Sequence, residues 1–263
     1  MFVSDLFEGH SDITKTVVII PGGYHPLHPG HVSLYHKVIQ QMPQADVYMA
    51  ATDDRSERPF PFAVKHQLAV IAGIPADRFV LVKSPFRAHE ITSKYDPETT
   101  ALVFVRSDKD RTEQPLPGGT KKDGSLAYLQ PVSQQLKPMS QHGYMAYLPT
   151  IEFKAGPQGM TSATQIRTAW PNSSPAIKAQ IVSDMYPRIA GNAQLIQRVV
   201  SIFDQVMSTA VNETLKRVRG KWALVSKSTG RPLQYYHGSG HPSKEWVSKV
   251  ERRVHSFSES DKK

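Results

Sequence analysis

The chain has 263 residues, of which 39% are hydrophobic and 21% charged, a composition that supports a buried core and excludes a wholly disordered chain. It contains no cysteine, which excludes disulfides and thiolate metal sites. The N-terminus does not have the pattern of a signal peptide, and no stretch approaches the ~18 apolar residues of a membrane-spanning helix, so we expect a soluble, cytoplasmic protein.

Positive charge is concentrated at the C-terminal end of the chain. Residues 214–263 hold 12 Lys or Arg against four Asp or Glu, which leaves +8 of the total net charge of +9 in this segment. The rest of the chain holds 20 basic and 19 acidic residues and is almost neutral. This asymmetry predicts two parts with different tasks.

Short apolar runs alternate with segments of helical spacing in the first 106 residues. Val17–Ile20 is a run of β-branched residues that ends at a proline and two glycines, and Leu34, Val38 and Met42 then recur at helical spacing. The predicted strands are 17–20, 45–51, 78–83 and 100–106, and the predicted helices are 30–42 and 62–74. The alternation predicts an α/β fold with a Rossmann-like, mostly parallel five-stranded sheet and helices on both faces.

The remaining residues are expected to add a fifth strand to the sheet and then to form helices and a separate hairpin. The predicted segments are a polar insertion or long loop at 107–142, a fifth strand at 145–153, helices at 161–170 and about 188–219, a β-hairpin of 221–226 and 232–236, and a final helix from Ser243 to about 257. We therefore divide the chain into a main domain (1–187), a C-terminal helical segment (188–220) and a small basic hairpin-helix tail (221–263).

The most informative segment lies between the first strand and the first helix, where residues 22–31 read GGYHPLHPGH. Gly22 and Gly23 allow a sharp turn and a close approach of the backbone to a ligand. Gly30 leaves room for a phosphate beside the start of the helix, whose free N–H groups and partial positive charge attract anions.

Two histidines of this segment, His28 and His31, are three residues apart at the helix start. Both imidazoles can then face one phosphate and donate hydrogen bonds as charge builds up during phosphoryl transfer. A metal site or simple surface polarity would also place two histidines here, but a metal site usually has a third ligand and prefers a spacing of four residues on a helix. The preceding strand, the two glycines and Pro26 favour the phosphate interpretation.

The segment resembles the His-x-Gly-His signature of the nucleotidyltransferase superfamily, which includes nicotinamide-nucleotide, pantetheine-phosphate and FMN adenylyltransferases and the cytidylyltransferases. A second signature of that superfamily, typically Ile-Ser-Ser-Thr-x-Ile-Arg, is similar to residues 160–167, MTSATQIR. The resemblance covers about residues 15–170. It implies an enzyme that joins a nucleoside triphosphate to a small phosphorylated acceptor and releases pyrophosphate.

The resemblance also implies roles for individual residues. His28 and His31 would stabilise the transferring α-phosphate, while Arg167 supplies positive charge to the leaving pyrophosphate. The nucleotide-binding residues that it implies are Gly22, Gly23, Tyr24, Gly30, Asp108, Thr161, Ser162 and Thr164. ATP is the expected donor, because the 160–167 segment is closer to adenylyl than to cytidylyl members, and Mg²⁺ would bridge the triphosphate oxygens.

Three positions depart from the superfamily pattern. His25 stands where an Asp or Asn is usual, and Ala163 replaces a Ser or Thr. Asp108, in the segment after the fourth strand, is assigned to the acid of a Gly-x-Asp element that this chain lacks. These differences leave the acceptor, and the choice between ATP and CTP, open.

The basic tail supports an alternative function. It combines its Lys and Arg residues with Trp222, Tyr235, Tyr236 and Trp246, a mixture that binds nucleic acid or simply docks as a small hydrophobic patch. Residues 221–257 also resemble C-terminal segments of tailed-bacteriophage proteins. That resemblance implies a phage protein located in the host cytoplasm or in the virion. The alternative is thus a virion structural or nucleic-acid-binding protein that retains the transferase fold.

Overall fold

The computed structural model describes residues 13–53, 59–133, 135–210, 213–226, 231–243, 245–247 and 249–250. The strands are β1 (Lys15–Gly22), β2 (Asp46–Ala51), β3 (Phe79–Leu81), β4 (Thr100–Ser107), β5 (Leu129–Pro131), β6 (Gly143–Leu148), β7 (Glu213–Val218), β8 (Lys221–Ser226) and β9 (Pro232–Tyr235). The α-helices are α1 (Pro29–Gln41), α2 (Phe62–Ala72), α3 (His89–Thr92), α4 (Ala163–Ala169), α5 (Pro175–Met185) and α6 (Ala193–Ala210).

The central sheet has six parallel strands in the order β3-β2-β1-β4-β6-β5. The chain moves outward from β1 to β3 and then returns to place β4 on the other side of β1. In sheets of this type, a crevice opens at the carboxyl ends of the strands where the strand order reverses. The structure confirms the predicted α/β class with a Rossmann-like parallel sheet.

The sheet separates two apolar layers, because successive residues of a strand point to opposite faces. Val18 and Ile20 of β1 belong to one layer, and Val17 and Ile19 to the other. The first layer also contains buried residues of α1, α2, α4, α5 and α6. The second layer is covered by the four-residue α3 and by loops. None of the described helices is both long enough and apolar enough to cross a membrane.

The strand count differs from the predicted five because β5 lies within the predicted 107–142 loop. Its three residues, Leu-Gln-Pro, are too few to show an alternating pattern, and they form the sheet edge, where a proline is tolerated. The predicted fifth strand, 145–153, is observed as β6 and ends at Leu148. Pro149, which cannot donate a ladder hydrogen bond, follows immediately, and residues 149–153 form a loop.

The predicted helix at 188–219 is shorter than expected and is followed by a strand. The 3₁₀ helix Pro187–Ile189 precedes α6, which ends at Ala210, and β7 pairs antiparallel with β8. Arg219 and Gly220 have positive φ angles of 50° and 80°, as a two-residue hairpin turn requires. The prediction rested on apolar residues spaced from Ile189 to Met207 and continued the helix to about 219, so it missed this turn.

The predicted hairpin of the tail is confirmed, since β8 and β9 are antiparallel and form a three-stranded sheet with β7. Ser243 caps the final helix as expected: its hydroxyl accepts a hydrogen bond from the Trp246 N–H at 3.2 Å. The predicted turn at 227–230 and the predicted helical residues 251–257 lie outside the described residues. The division of the chain at 187 and 220 stays a prediction.

Candidate functional site

The turn after β1 is shaped by Tyr24, which has a φ angle of 51° and folds its ring back over the strand end. The Tyr24 hydroxyl donates a 2.6 Å hydrogen bond to the carbonyl of Ile20. A Cβ atom on Gly22 would lie 2.6 Å from the Tyr24 ring, so any larger residue would displace the tyrosine. Gly22 is therefore required first by the packing of Tyr24, and the buried tyrosine side chain acts as a support of the turn.

Three other elements hold the same turn in place. The Arg167 guanidinium of α4 donates to the carbonyl of His25, and the Phe60 N–H donates to the His25 Nδ1 at 3.3 Å. The Tyr186 hydroxyl, which follows α5, donates to the carbonyl of Leu27 at 2.9 Å. A backbone fixed at these points presents the following residues in one geometry, as a catalytic site requires.

The two signature histidines are stacked at the start of α1. The ring centroids of His28 and His31 are 3.6 Å apart with an interplanar angle of 21°. Phe153 stacks on His28 at 4.6 Å, and Tyr24 meets His31 edge-on at 4.9 Å. A Cβ atom on Gly30 would come within 3.1 Å of the His28 ring, so Gly30 gives space to the imidazole itself; that it also leaves room for a phosphate stays a prediction.

Both imidazoles are held neutral by their surroundings. Burial lowers the pKa of His31 well below its usual value, and the neighbouring His28 lowers it further. Burial lowers the pKa of His28 to about 4, with a smaller contribution from Lys109. The His28 N–H donates to Nδ1 of His31 at 3.3 Å, which places the proton of neutral His31 on Nε2 as a donor.

A cavity of about 640 Å³ opens at the carboxyl edge of the sheet in front of these rings. The predicted site residues that line it are Gly22, Gly23, Tyr24, His28, Gly30, His31 and Thr161. The loop after β6 provides a further wall, and its carbonyl at Pro149 accepts a 2.7 Å hydrogen bond from Lys37 of α1. The two motifs, which are about 130 residues apart in the chain, thus contribute to one cavity.

Sequence reasoning missed a buried arginine in this cavity. Arg106, near the end of β4, is 7% exposed, and its guanidinium donates to the carbonyl oxygen and to a carboxylate oxygen of Glu113, both at 2.9 Å. The Arg106 guanidinium also lies 5.6 Å from the centre of the Phe86 ring. A basic residue that directly follows the apolar run Ala101–Val105 near the end of a strand is the signal that could have identified it, because such a residue lies at the ligand-binding edge.

The acid assigned from the resemblance is not the one at the cavity. Asp108 is held by Arg111 at 2.6 Å and does not line the cavity, whereas Lys109 and Asp110 do. The reason is the 3₁₀ helix Asp108–Asp110, which turns the chain directly after β4. Burial raises the pKa of Asp110, and the nearby Glu113 carboxylate adds to this effect.

The second motif is held mainly by contacts within its own helix start. Ser162 caps α4 by accepting from the Gln165 N–H at 3.2 Å, and Gln165 in turn accepts from the Thr161 N–H at 2.7 Å. The Thr164 hydroxyl accepts from Arg167 at 3.1 Å. Thr161 lines the cavity, whereas Ser162, Thr164 and Arg167 do not. Arg167 connects the two motifs through its bond to His25.

Within the ranges that the structure describes, no group of three or more His, Asp or Glu side chains is placed to hold a metal ion. Two stacked histidines with a spacing of three residues also differ from the usual metal-binding pair on a helix.

No known family model matches this chain, and no curated protein matches it. Among solved structures, the chain is similar to the crystal structure of a bifunctional NMN adenylyltransferase/ADP ribose pyrophosphatase from Francisella tularensis, complexed with AMP and a manganese ion. The identity is 13%, the match covers 86% of this chain and 70% of that chain, and the TM-score is 0.39. A likeness of this size does not identify a function.

Proposed function

We propose that this protein is a nucleotidyltransferase that transfers AMP from ATP to a small phosphorylated acceptor and releases pyrophosphate. One observation carries the proposal: the stacked pair His28 and His31 opens into a cavity at the point where the strand order reverses. At the start of α1 the backbone donor that an anion could use is the N–H of Gly30, because Pro29 has no N–H and those of His31 and Val32 donate to the His28 carbonyl.

In the proposed reaction, an oxygen of the acceptor phosphate attacks the α-phosphorus of ATP, and the bond from that phosphorus to the β-phosphate oxygen breaks. The acceptor is already ionised, so the protein need not supply a general base. The Nε2–H of His31 donates to an α-phosphate oxygen, and His28 donates from the ring beside it. These donors gain strength as negative charge accumulates in the transition state.

The residues of the second motif would hold the leaving pyrophosphate. The hydroxyl oxygens of Ser162 and Thr164 accept hydrogen bonds, and each hydroxyl still has its own proton to donate. Thr161 lines the cavity directly, and Arg167 brings positive charge next to it. ATP would enter as its Mg²⁺ complex, so that the metal arrives as part of the substrate.

The test is a pyrophosphate-release assay with ATP, Mg²⁺ and a panel of nicotinamide mononucleotide, phosphopantetheine and FMN. We expect release that depends on one acceptor and that falls by at least about 100-fold in His28→Ala and in His31→Ala. The matched control is His36→Ala, an exposed histidine on the same helix α1. Acceptor-dependent release that survives both substitutions would reject the assignment of these histidines.

A second candidate function rests on the C-terminal sheet, which would bind nucleic acid as part of a nucleoprotein or of a phage virion. The strand register places Lys216, Lys221 and Tyr235 on one face, and both lysines are exposed. The other aromatic residues have protein partners instead: Arg217 lies over Trp222 at 5.4 Å, and Tyr236 contacts Trp246 at 5.0 Å. Basic residues would therefore dominate the contact with phosphates.

Fluorescence anisotropy with a labelled single-stranded oligonucleotide tests this candidate on the full chain. Lys216→Gln combined with Lys221→Gln should weaken binding and reduce its salt dependence by about two counter-ions. Lys94→Gln combined with Lys83→Gln is the control, since both lysines are exposed but lie outside the tail. Equal losses in the two double variants would argue against a dedicated surface.

A further inference from the structure

A second cavity, of about 520 Å³, lies over the thinly covered face of the central sheet. Its lining includes the buried side chains of Leu102 from β4 and of Met139. It exists because, among the described residues, α3 and loops are what cover this face, whereas five helices pack on the opposite face. No residue of the two signature motifs lines it, and among the described lining residues Phe86 alone is shared with the first cavity.

The aromatic walls of this cavity are fixed by their own hydrogen bonds. The hydroxyl of Tyr95 shares a 2.7 Å hydrogen bond with the hydroxyl of Tyr48, and the Tyr128 hydroxyl donates to the carbonyl of Met139 at 2.7 Å. Tyr128 also lies so close to Gly143 that a Cβ atom there would approach its ring to 2.9 Å. Because the hydroxyls are engaged with the protein, the ring surfaces are what these tyrosines offer to a ligand.

The charged groups that line the second cavity are basic. Arg87 and His89 line it, together with the hydroxyl-bearing Thr92 and Ser93, and no Asp or Glu occurs among its described lining residues. Within the described part of the chain, the side chains of Arg87 and His89 form no hydrogen bond or ion pair. The first cavity differs in this respect, since acids offset its cations; they are Asp110, Glu113 and Glu152.

We propose that the second cavity binds a planar aromatic molecule that carries a negative charge. Its ring would pack on Tyr95 and Tyr128, and its anionic group would be bound by the guanidinium of Arg87. The ligand would contact Phe86, whose ring also faces the Arg106 guanidinium of the first cavity at 5.6 Å. This site is distinct from the proposed transferase site and does not depend on the transferase activity.

An NMR titration of the ¹⁵N-labelled full chain with 1-naphthalenesulfonate tests the proposal. We expect saturable shifts in the amides of residues 86–97, and a loss of affinity of at least about tenfold in Arg87→Gln. Lys94→Gln is the matched control, because it removes the same charge from an exposed neighbour that does not line the cavity. The uncharged analogue 1-naphthalenemethanol should bind as weakly to the wild type as the sulfonate binds to Arg87→Gln.

Two further variants separate this site from the first cavity. Ser93→Trp, at an exposed lining position, should fill the second cavity and abolish the saturable shifts without disturbing the core. The double variant His28→Ala/His31→Ala should retain them. Shifts confined to first-cavity residues, equal losses in Arg87→Gln and Lys94→Gln, or no saturation at millimolar probe would each overturn the proposal.

Discussion

The two signature motifs differ in what they contribute to the same cavity. The first motif places two stacked imidazoles in the lining of the cavity. In the second motif, Thr161 alone lines the cavity, while Ser162 and Arg167 hold α4 and the β1–α1 turn. In the proposed reaction the first motif would therefore supply the hydrogen-bond donors, whereas the second motif also holds the turn that positions them.

The largest effect is expected from the first motif. His28→Ala or His31→Ala should lower kcat by about 100-fold to 1,000-fold, the usual result of removing one donor to a transition-state oxyanion. Because these donors act mainly in the transition state, KM for ATP should change by less than about threefold. Steady-state kinetics separate the two constants, and a rise in KM with an unchanged kcat would instead assign the histidines to ground-state binding.

Arg167→Ala should expose the positioning role of the second motif. The loss of its charge-assisted hydrogen bond to the His25 carbonyl should lower the free energy of unfolding by about 2 kcal/mol. Arg111→Ala removes an exposed arginine that pairs with Asp108, and should cost less than about 0.5 kcal/mol. Urea denaturation measures both values, and equal stabilities of the two variants would contradict the proposed link between the motifs.

The buried imidazoles should also make the stability of the fold depend on pH. Because the folded pKa of His28 is about 4, below the usual value of 6.5, the unfolded chain binds this proton more readily. The contribution of neutral His28 to the free energy of unfolding is therefore complete above pH 6.5 and is lost as the pH falls toward 4. Between pH 7 and pH 4.5, the wild type should lose about 2 kcal/mol more than His28→Gln in urea denaturation. Equal losses of stability in the wild type and in His28→Gln would contradict the lowered pKa of His28.

The smallest effect is expected from Ser162, which caps α4 and is also proposed to bind the pyrophosphate. As the cap of α4, it should contribute about 1 kcal/mol to stability, which thermal unfolding of Ser162→Ala measures. Ser174→Ala removes the equivalent cap of α5, remote from the cavity lining, and should cost a similar amount. Only Ser162→Ala should also slow pyrophosphate release, by about tenfold. Equal rates in the two variants would leave Ser162 as a cap alone.

The sequence predicted those parts of the fold that depend on local pattern. Buried runs such as Val17–Ile20 mark central strands, because both faces of these strands are covered. The three-residue β5 carries no such pattern, and the predicted helix was continued past its last spaced apolar residue, Met207, through the Arg219-Gly220 turn. The pairing of β5 with β6 joins Leu129 to Gly143, a partner that local spacing does not encode.

The site residues that lie together in one short segment, such as His28 and His31, could be predicted from the sequence. The strand pattern could have pointed to Arg106, but not to its contacts with Glu113 and Phe86, which reach the cavity from separate loops. The assignment of Asp108 followed the spacing of a resemblance, but the 3₁₀ helix after β4 brings Asp110 to the cavity instead.

A crystal structure with α,β-methylene-ATP and Mg²⁺ tests the central proposal most directly. We expect density for the α-phosphate within hydrogen-bonding distance of the His28 and His31 rings, with the β- and γ-phosphates near Thr161 and the start of α4. A well-ordered nucleotide elsewhere on the protein, with both imidazoles free of phosphate, would contradict it.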